Sequence, residues 1–154
     1  MRYAALALCL AFAPPLSAEI TARPGWQVLP TDKAHATLLS DLKSAVKENG
    51  MGVVTQAGPT ATARKRGIDI PENRVVGVFN NDYAVKILAT STAAMIEAPI
   101  RFYVTENADG TATLSYKTPS FVFEPYLTEA GPTLTALASE LDATFERIAT
   151  TATQ

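Results

Sequence analysis

The polar residues with the clearest chemical potential lie on a predicted β-hairpin in the second half of the chain. Apolar and polar residues alternate from Ile100 to Lys117, which predicts two strands joined by a glycine-containing loop at 108–110. The register implied by this loop places Arg101 opposite Lys117. Because two cations on adjacent strands repel each other, this pair lowers stability unless a negative charge lies nearby.

Two sources of that negative charge follow from the sequence. Glu97 or Glu124 can supply it from within the chain as a structural network, and we favour this explanation for the charges themselves. The alternative is the carboxylate or phosphate of a bound ligand. The same register pairs Tyr103 with Ser115 on this polar face, and these two side chains, with Asn80, would then supply hydrogen bonds to the ligand.

The remaining sequence offers little for nucleophilic or metal chemistry. His35 is the single histidine, and it falls within the apolar stripe of a predicted helix, which favours a core histidine that is hydrogen-bonded to a backbone carbonyl. The single cysteine, Cys9, lies in the N-terminal segment, and no serine has the glycines of a nucleophile elbow around it. One histidine and one cysteine cannot form a zinc or iron–sulfur site. We therefore predict no catalytic residue, metal or cofactor.

Paired carboxylates leave one enzymatic alternative open. Two carboxyl groups at a suitable separation can act as acid and base in hydrolysis. Four glutamates bracket the hairpin: Glu97, Glu106, Glu124 and Glu129. Acidic residues near strand ends are usually solvated, so a hydrolase-like enzyme is the second interpretation and not the first.

The charge of the chain argues against nucleic acid as a partner. The net charge is −2 and the isoelectric point is about 5.4, whereas nucleic-acid-binding domains carry a basic excess. Residues 64–66, Arg-Lys-Arg, form the only basic cluster, and a run of three in an acidic chain favours a solvated helix face.

Apolar periodicity and turn residues predict interleaved strands and helices. Pro30 is expected to end the first strand, with Thr31 or Asp32 capping the helix that follows. A C-terminal helix is predicted from Pro132 to about residue 150. The fold class predicted is an α/β (α+β) two-layer sandwich with a mixed or antiparallel sheet and helices packed on one face. The strands are predicted at 26–29, 51–56 (buried), 74–79 and in the hairpin, with an extended piece at 121–123; further helices are predicted at 59–67 and after 80–82.

The N-terminus is typical of a secretory signal peptide. Arg2 precedes an apolar run from Ala4 to Ala13, and small residues lead to a cleavage site after Ala18. The run has about half the length of a membrane-spanning helix, and no later segment approaches that length. We expect residues 1–18 to be removed, leaving one domain, residues 19–154, in the periplasm or secreted.

Several motifs resemble the domain of unknown function 302 family. Residues 63–81 (ARKRGIDIPENRVVGVFNN) and 98–119 (APIRFYVTENADGTATLSYKTP) carry the likeness, which covers about residues 26–126. Many members have Asn-Pro where this chain has Asn80-Asn81. The resemblance implies a small α/β sandwich that pairs into dimers, and exported members occur. The family has no established activity.

Together these observations predict an exported, non-enzymatic homodimer that binds a small anionic or amphipathic ligand. A third interpretation is a structural or partner-binding periplasmic subunit without a pocket. The predicted ligand-contacting residues are Arg101, Lys117, Tyr103, Ser115, Asn80 and Glu124.

Overall fold

The computed structural model describes residues 20–154, so the predicted leader, residues 1–18, lies outside the described residues. Five strands form one antiparallel sheet that carries a layer of helices, which confirms the predicted fold class. The strands are β1 (Trp26–Ala34), β2 (Gly52–Ala57), β3 (Asn73–Phe79), β4 (Ile100–Glu106) and β5 (Thr111–Lys117). The helices are α1 (His35–Glu48), α2 (Thr60–Lys65), α3 (Asn81–Thr90), α4 (Pro119–Phe123) and α5 (Leu127–Thr153), with 3-10 turns at Ala94–Glu97 and Glu124–Tyr126. No helix within residues 20–154 is long and apolar enough to cross a membrane.

The predicted hairpin and its register are present. The strand order is β1-β5-β4-β3-β2, so β1 and β2 are the two edges of the sheet and α1 connects them. Val104 pairs with Leu114, and Tyr103 pairs with Ser115. Gly110 has a φ of +85°, which is the left-handed conformation that this loop requires.

The hydrophobic core lies between the sheet and helices α1 and α5. Phe145 of α5 stacks on Phe102 of β4 with ring centroids 4.7 Å apart, and its ring lies 5.7 Å from that of Tyr116. Both phenylalanines are fully buried. Burial raises the pKa of Tyr116 to about 12, because an ionised phenolate would lose its hydration there.

The predicted boundary between β1 and α1 is wrong. Strand β1 continues through Pro30, which pairs with Thr113, and α1 begins only at His35. Because β1 is an edge strand, the missing N–H of Pro30 need not join the ladder. The hydroxyl of Thr31 donates a hydrogen bond of 2.7 Å to the carbonyl of Ala112 and does not cap the helix.

Two further segments differ from their predictions. Residues 121–123 were expected to be extended, but they lie in helix α4, where the Thr118 hydroxyl accepts a hydrogen bond from the Phe121 N–H and Pro119 occupies the first turn. Strand β2 was expected to be buried, yet it is the exposed edge of the sheet, and Val54 is 54% exposed.

The predicted start of the C-terminal helix, Pro132, lies inside helix α5, directly after a break in the helix. Gly131 has a non-helical conformation with φ of +66°, and the long part of α5 runs on from Pro132. This part places Leu134, Leu141 and Ile148 in the core.

Candidate functional site

The face of the sheet opposite the helices carries a groove of about 330 Å³. Successive side chains of a strand point to opposite faces, so the residues between the core positions of β1, β3, β4 and β5 point toward this open face. The 3-10 turn before β4 and helix α4 complete the groove at one end of the sheet. Its walls include Trp26, Val75, Glu97, Arg101, Tyr103, Ser115, Lys117 and Val122.

The structure brings four of the six predicted site residues together. Arg101, Tyr103, Ser115 and Lys117 all line the groove. Tyr103 and Ser115 pair across the hairpin, and the same register places Arg101 beside Lys117 at the end of the ladder. This juxtaposition follows from the hairpin register and was predictable from the sequence.

Asn80 and Glu124 do not line the groove. The Asn80 side chain caps α3, because its Oδ1 accepts hydrogen bonds from the N–H groups of Asp82 (2.8 Å) and Tyr83 (3.2 Å). Its Nδ2 donates to the carbonyl of Gly50 at 2.9 Å. Glu124 is exposed in the turn that follows α4. Asn80 therefore stabilises the start of α3 and does not contact the groove.

The two cations of the groove have no carboxylate partner within residues 20–154. Arg101 and Lys117 are exposed, and no carboxylate oxygen there lies within 4.0 Å of either charged group. The expectation that Glu97 or Glu124 pairs with them is therefore wrong. Glu124 lies outside the groove walls, and Glu97 lies in the walls with its carboxylate hydrogen-bonded elsewhere.

Trp26, the single tryptophan of the chain, contacts one of these cations. The Lys117 ammonium lies 5.7 Å from the centroid of the Trp26 ring, and the Arg23 guanidinium lies 5.4 Å from it. Cations at such distances are attracted to the ring electrons. The attraction positions Lys117 without neutralising its charge.

Glu97 is positioned by Tyr126, the last residue of the 3-10 turn that follows helix α4. The hydroxyl of Tyr126 donates a hydrogen bond of 2.7 Å to Glu97 Oε1. This hydrogen bond to a carboxylate is the main reason that the pKa of Tyr126 is raised, because ionisation would break it. The carboxylate is thereby held at the groove wall.

Ser115 contributes a buried hydroxyl with no partner. Its side chain is fully buried, and its Oγ makes no hydrogen bond within residues 20–154. A buried polar group without a partner costs roughly 1–3 kcal/mol of stability. Such a group beside a groove has a hydrogen-bonding capacity that nothing within residues 20–154 meets.

A sequence profile described as "Domain of unknown function DUF302" matches residues 27–152. The chain belongs to the DUF302 family. The matched range extends beyond the 26–126 expected from the motifs, because it includes helix α5. No curated protein sequence matches the chain at a significant level.

One solved structure confirms the DUF302 fold. It is the crystal structure of an uncharacterized conserved protein DUF302 from Bacillus stearothermophilus. The two structures align with a TM-score of 0.73 and 16% sequence identity, over 84% of this chain and 98% of the other. At this identity the likeness establishes the fold alone.

The single histidine of this DUF302 chain lies on α1, which packs on the other side of the sheet. His35 is buried as predicted, and a backbone hydrogen bond with Val104 acts on its imidazole, while its Nε2 has no hydrogen-bond partner within residues 20–154. The pKa of His35 is lowered, mainly because burial disfavours the imidazolium, while the carboxylates of Glu72 and Glu106 oppose this effect. Because α1 packs on the other side of the sheet, the sheet separates the imidazole from the groove.

Three of the four carboxylates near the hairpin, those of Glu97, Glu106 and Glu129, accept separate hydrogen bonds. Glu106 accepts a hydrogen bond from the Glu72 N–H at 2.8 Å, and Glu129 accepts one from the Ser91 hydroxyl at 2.6 Å. Strand β4 is roughly 20 Å long at about 3.3 Å per residue, and Glu97 lies in the turn before its first residue while Glu106 is its last. Acid and base of an inverting glycosidase lie only about 6.5–9.5 Å apart, so these two do not form such a pair.

The basic cluster, residues 64–66, does not line the groove. Arg64 forms an ion pair of 2.7 Å with Glu72, on a largely exposed surface. Across residues 20–154 no group of three or more histidine, cysteine, aspartate or glutamate side chains could hold a metal ion.

Sequence reasoning missed six residues of the groove. They were assigned only to elements and not to a site: Trp26, Val75, Ile100, Phe102, Tyr116 and Val122. The single tryptophan at the start of an edge strand was a usable signal, because large aromatic side chains are common in ligand pockets.

Proposed function

We propose that this protein is exported and homodimeric, and that it binds a small anionic or amphipathic ligand in the groove without catalysing a reaction. The observation that carries the proposal is the pair of cations, Arg101 and Lys117, without a carboxylate within 4.0 Å in residues 20–154, beside the unpartnered hydroxyl of Ser115. A bound anion would offset the repulsion between the cations and provide the hydroxyl with a partner.

The size and lining of the groove support a small ligand. Its volume of about 330 Å³ is at the lower end of the ~300–1,000 Å³ typical of ligand pockets. The side chains of Trp26, Val75 and Val122 add apolar surface beside the cations. An anion with an apolar body is complementary to both kinds of surface.

The composition of the groove supports binding without chemistry. Its described walls contain no histidine or cysteine, and Ser115 has no base within hydrogen-bonding distance. A serine hydroxyl needs such a base to become a nucleophile.

The edge strand β2 is the surface that we propose for the homodimer. Its sequence, GVVTQA, has no charge and no proline, and five of its six residues are exposed. The other edge, β1, carries Pro30, Asp32 and Lys33, and a proline and charges oppose pairing between strands, whereas a register shift occurs in both edge strands. A dimer formed through the groove face would instead bring four cations together.

Native mass spectrometry tests ligand, dimer and export in one spectrum. The protein is produced with its leader and purified gently from the exported fraction. We expect a chain shortened by 18 residues, present as a dimer that carries a discrete extra mass. A chain that keeps residues 1–18 refutes export, and a bare dimer favours a structural or partner-binding role.

The variant Arg101→Gln ties the extra mass to the groove. We expect it to lose the ligand while its melting temperature stays the same or rises, because one of two repelling cations is gone. The matched control is Lys43→Gln, which removes an exposed cation of α1 on the opposite side of the sheet and should retain the ligand. A lower melting temperature with the ligand retained would favour a structural role for Arg101.

A lysine in β2 tests the dimer surface. Val54→Lys places a charge on an edge residue that is 54% exposed, and we expect monomers in sedimentation velocity. Val85→Lys, at a position of α3 that is 67% exposed, should remain a dimer. Dimers for both variants would place the interface elsewhere.

A further inference from the structure

Opposite charges share the groove without pairing. Glu97 lines it together with Arg101 and Lys117, yet no nitrogen of either cation lies within 4.0 Å of the Glu97 carboxylate. Tyr126 occupies one carboxylate oxygen, Oε1, and the other makes no hydrogen bond within residues 20–154. The groove therefore offers one open acceptor and two open cationic donors.

We propose that the ligand is an apolar α-amino acid bound as its zwitterion, an inference that rests on the proposed ligand-binding function. The α-carboxylate contacts Arg101 and Lys117 and accepts a hydrogen bond from the Ser115 hydroxyl. The α-ammonium donates to the free oxygen of Glu97. The side chain of the amino acid lies against the apolar wall that includes Val75, Tyr103 and Val122.

Charge complementarity favours the zwitterion over simpler ligands. A ligand with only an anionic group would satisfy Arg101 and Lys117 but bring its charge into the groove that also holds Glu97. An amine without a carboxylate would face two cations. A molecule with both charges meets an oppositely charged partner for each of them, so neither charge of the ligand is left unpaired in the groove.

Tyr126 acts as a positioning residue in this arrangement. Its hydrogen bond holds Glu97 at the wall, and Tyr126 itself need not touch the ligand. The variant Tyr126→Phe should therefore weaken binding of an amino acid while leaving binding of the matching acid without an amine unchanged. A general loss of stability would weaken both.

Three matched probes test the proposal: L-phenylalanine, 3-phenylpropionate, which lacks the amine, and 2-phenylethylamine, which lacks the carboxylate. Their binding is followed by isothermal titration calorimetry and by Trp26 fluorescence, which reports on the groove because Trp26 is the only tryptophan. L-leucine is added as a second amino acid. We expect the two amino acids to bind, and each analogue of phenylalanine to bind roughly ten- to hundredfold more weakly, as expected for losing a charge-assisted hydrogen bond.

The variant Glu97→Gln separates this inference from the proposed function. Glutamine can still accept the Tyr126 hydrogen bond, so the fold is preserved, and we expect the preference for L-phenylalanine over 3-phenylpropionate to disappear. Glu124→Gln, at an exposed position outside the groove walls, is the matched control and should keep the preference.

The outcomes distinguish failure of the amino-acid inference from failure of the proposed ligand-binding function. If 3-phenylpropionate binds as tightly as L-phenylalanine, and Arg101→Gln abolishes both, the amino-acid inference is overturned and anion binding stands. If neither amino acid nor 3-phenylpropionate binds at millimolar concentration and the purified protein carries no extra mass, the inference and the proposed function are both overturned.

Discussion

Replacing Ser115 by alanine should stabilise the protein while weakening ligand binding. The residue is fully buried in β5, and its hydroxyl has no hydrogen-bond partner within residues 20–154. Folding therefore removes the hydroxyl from water without returning a hydrogen bond. Alanine keeps the β-carbon and removes only the hydroxyl, so almost no packing is lost.

The size of the effect follows from the cost of an unpaired buried polar group. That cost is roughly 1–3 kcal/mol, and the lower β-propensity of alanine offsets a few tenths of it. We expect Ser115→Ala to raise the free energy of unfolding by about 1 kcal/mol. For a domain of this size, the melting temperature then rises by roughly 3–5 °C.

Ser91→Ala is the matched control, because Ser91 is also buried but its hydroxyl is paired. That hydroxyl donates to Glu129 Oε1 at 2.6 Å and accepts from the Ala94 N–H at 3.1 Å. Its removal leaves the Ala94 N–H buried without a partner. We expect a loss of about 1–3 kcal/mol, opposite in sign to the effect at Ser115.

Urea unfolding of the two variants and the parent protein, followed by circular dichroism without ligand, measures both changes. Binding of L-phenylalanine to Ser115→Ala is measured by calorimetry on the same samples. Destabilisation of Ser115→Ala by 1 kcal/mol or more would refute the reasoning, because it would show that the hydroxyl is paired in the free protein. Stabilisation with unchanged affinity would remove Ser115 from the binding site and leave the stability argument intact.

Three other changes test the core, a helix cap and the buried histidine. Phe145→Ala removes a fully buried ring from the aromatic cluster and should cost about 3–5 kcal/mol in urea unfolding. Asn80→Ala should cost about 1 kcal/mol through loss of the α3 cap without changing ligand affinity, whereas the exposed neighbour Asn81→Ala should change stability far less. Because the pKa of His35 is lowered in the folded protein, the unfolded chain binds the proton more readily, so stability is complete above about pH 6.5 and falls as the pH drops from there toward the folded pKa. Urea unfolding at pH 7.5 and 5.5 measures this fall, and His35→Gln should make it shallower; an unchanged slope would contradict the assignment.

The pairing of the hairpin strands could be predicted from the local alternation of apolar and polar residues. Its register was predictable because side chains alternate with a period of two, so a shift of one residue would move Val104 and Leu114 from the core to the open face. The left-handed glycine of the loop removed the remaining ambiguity. Four of the six predicted site residues follow from this register alone.

One strand boundary and the burial of one strand were predicted wrongly because the position of a strand at the edge of the sheet overrides local propensity. Pro30 was expected to end β1, but a proline is tolerated in a strand with one side unpaired. The apolar strand β2 was expected to be buried, and only the strand order, with β2 at the edge, reveals its exposure. Neither edge can be recognised before the sheet is assembled.

The sequence by itself determined the fold class, the hairpin register, the family and the pairing of Arg101 with Lys117 on one face. These depend on periodicity, turn residues and motifs that each span about 20 residues. The tertiary structure alone decided that Trp26 and Glu97 share a groove with those cations, that Glu97 does not neutralise them, and that Asn80 caps a helix. The physical reason is that contacts between residues distant in the chain depend on how whole elements pack, and distances of a few ångströms between side chains decide whether charges pair.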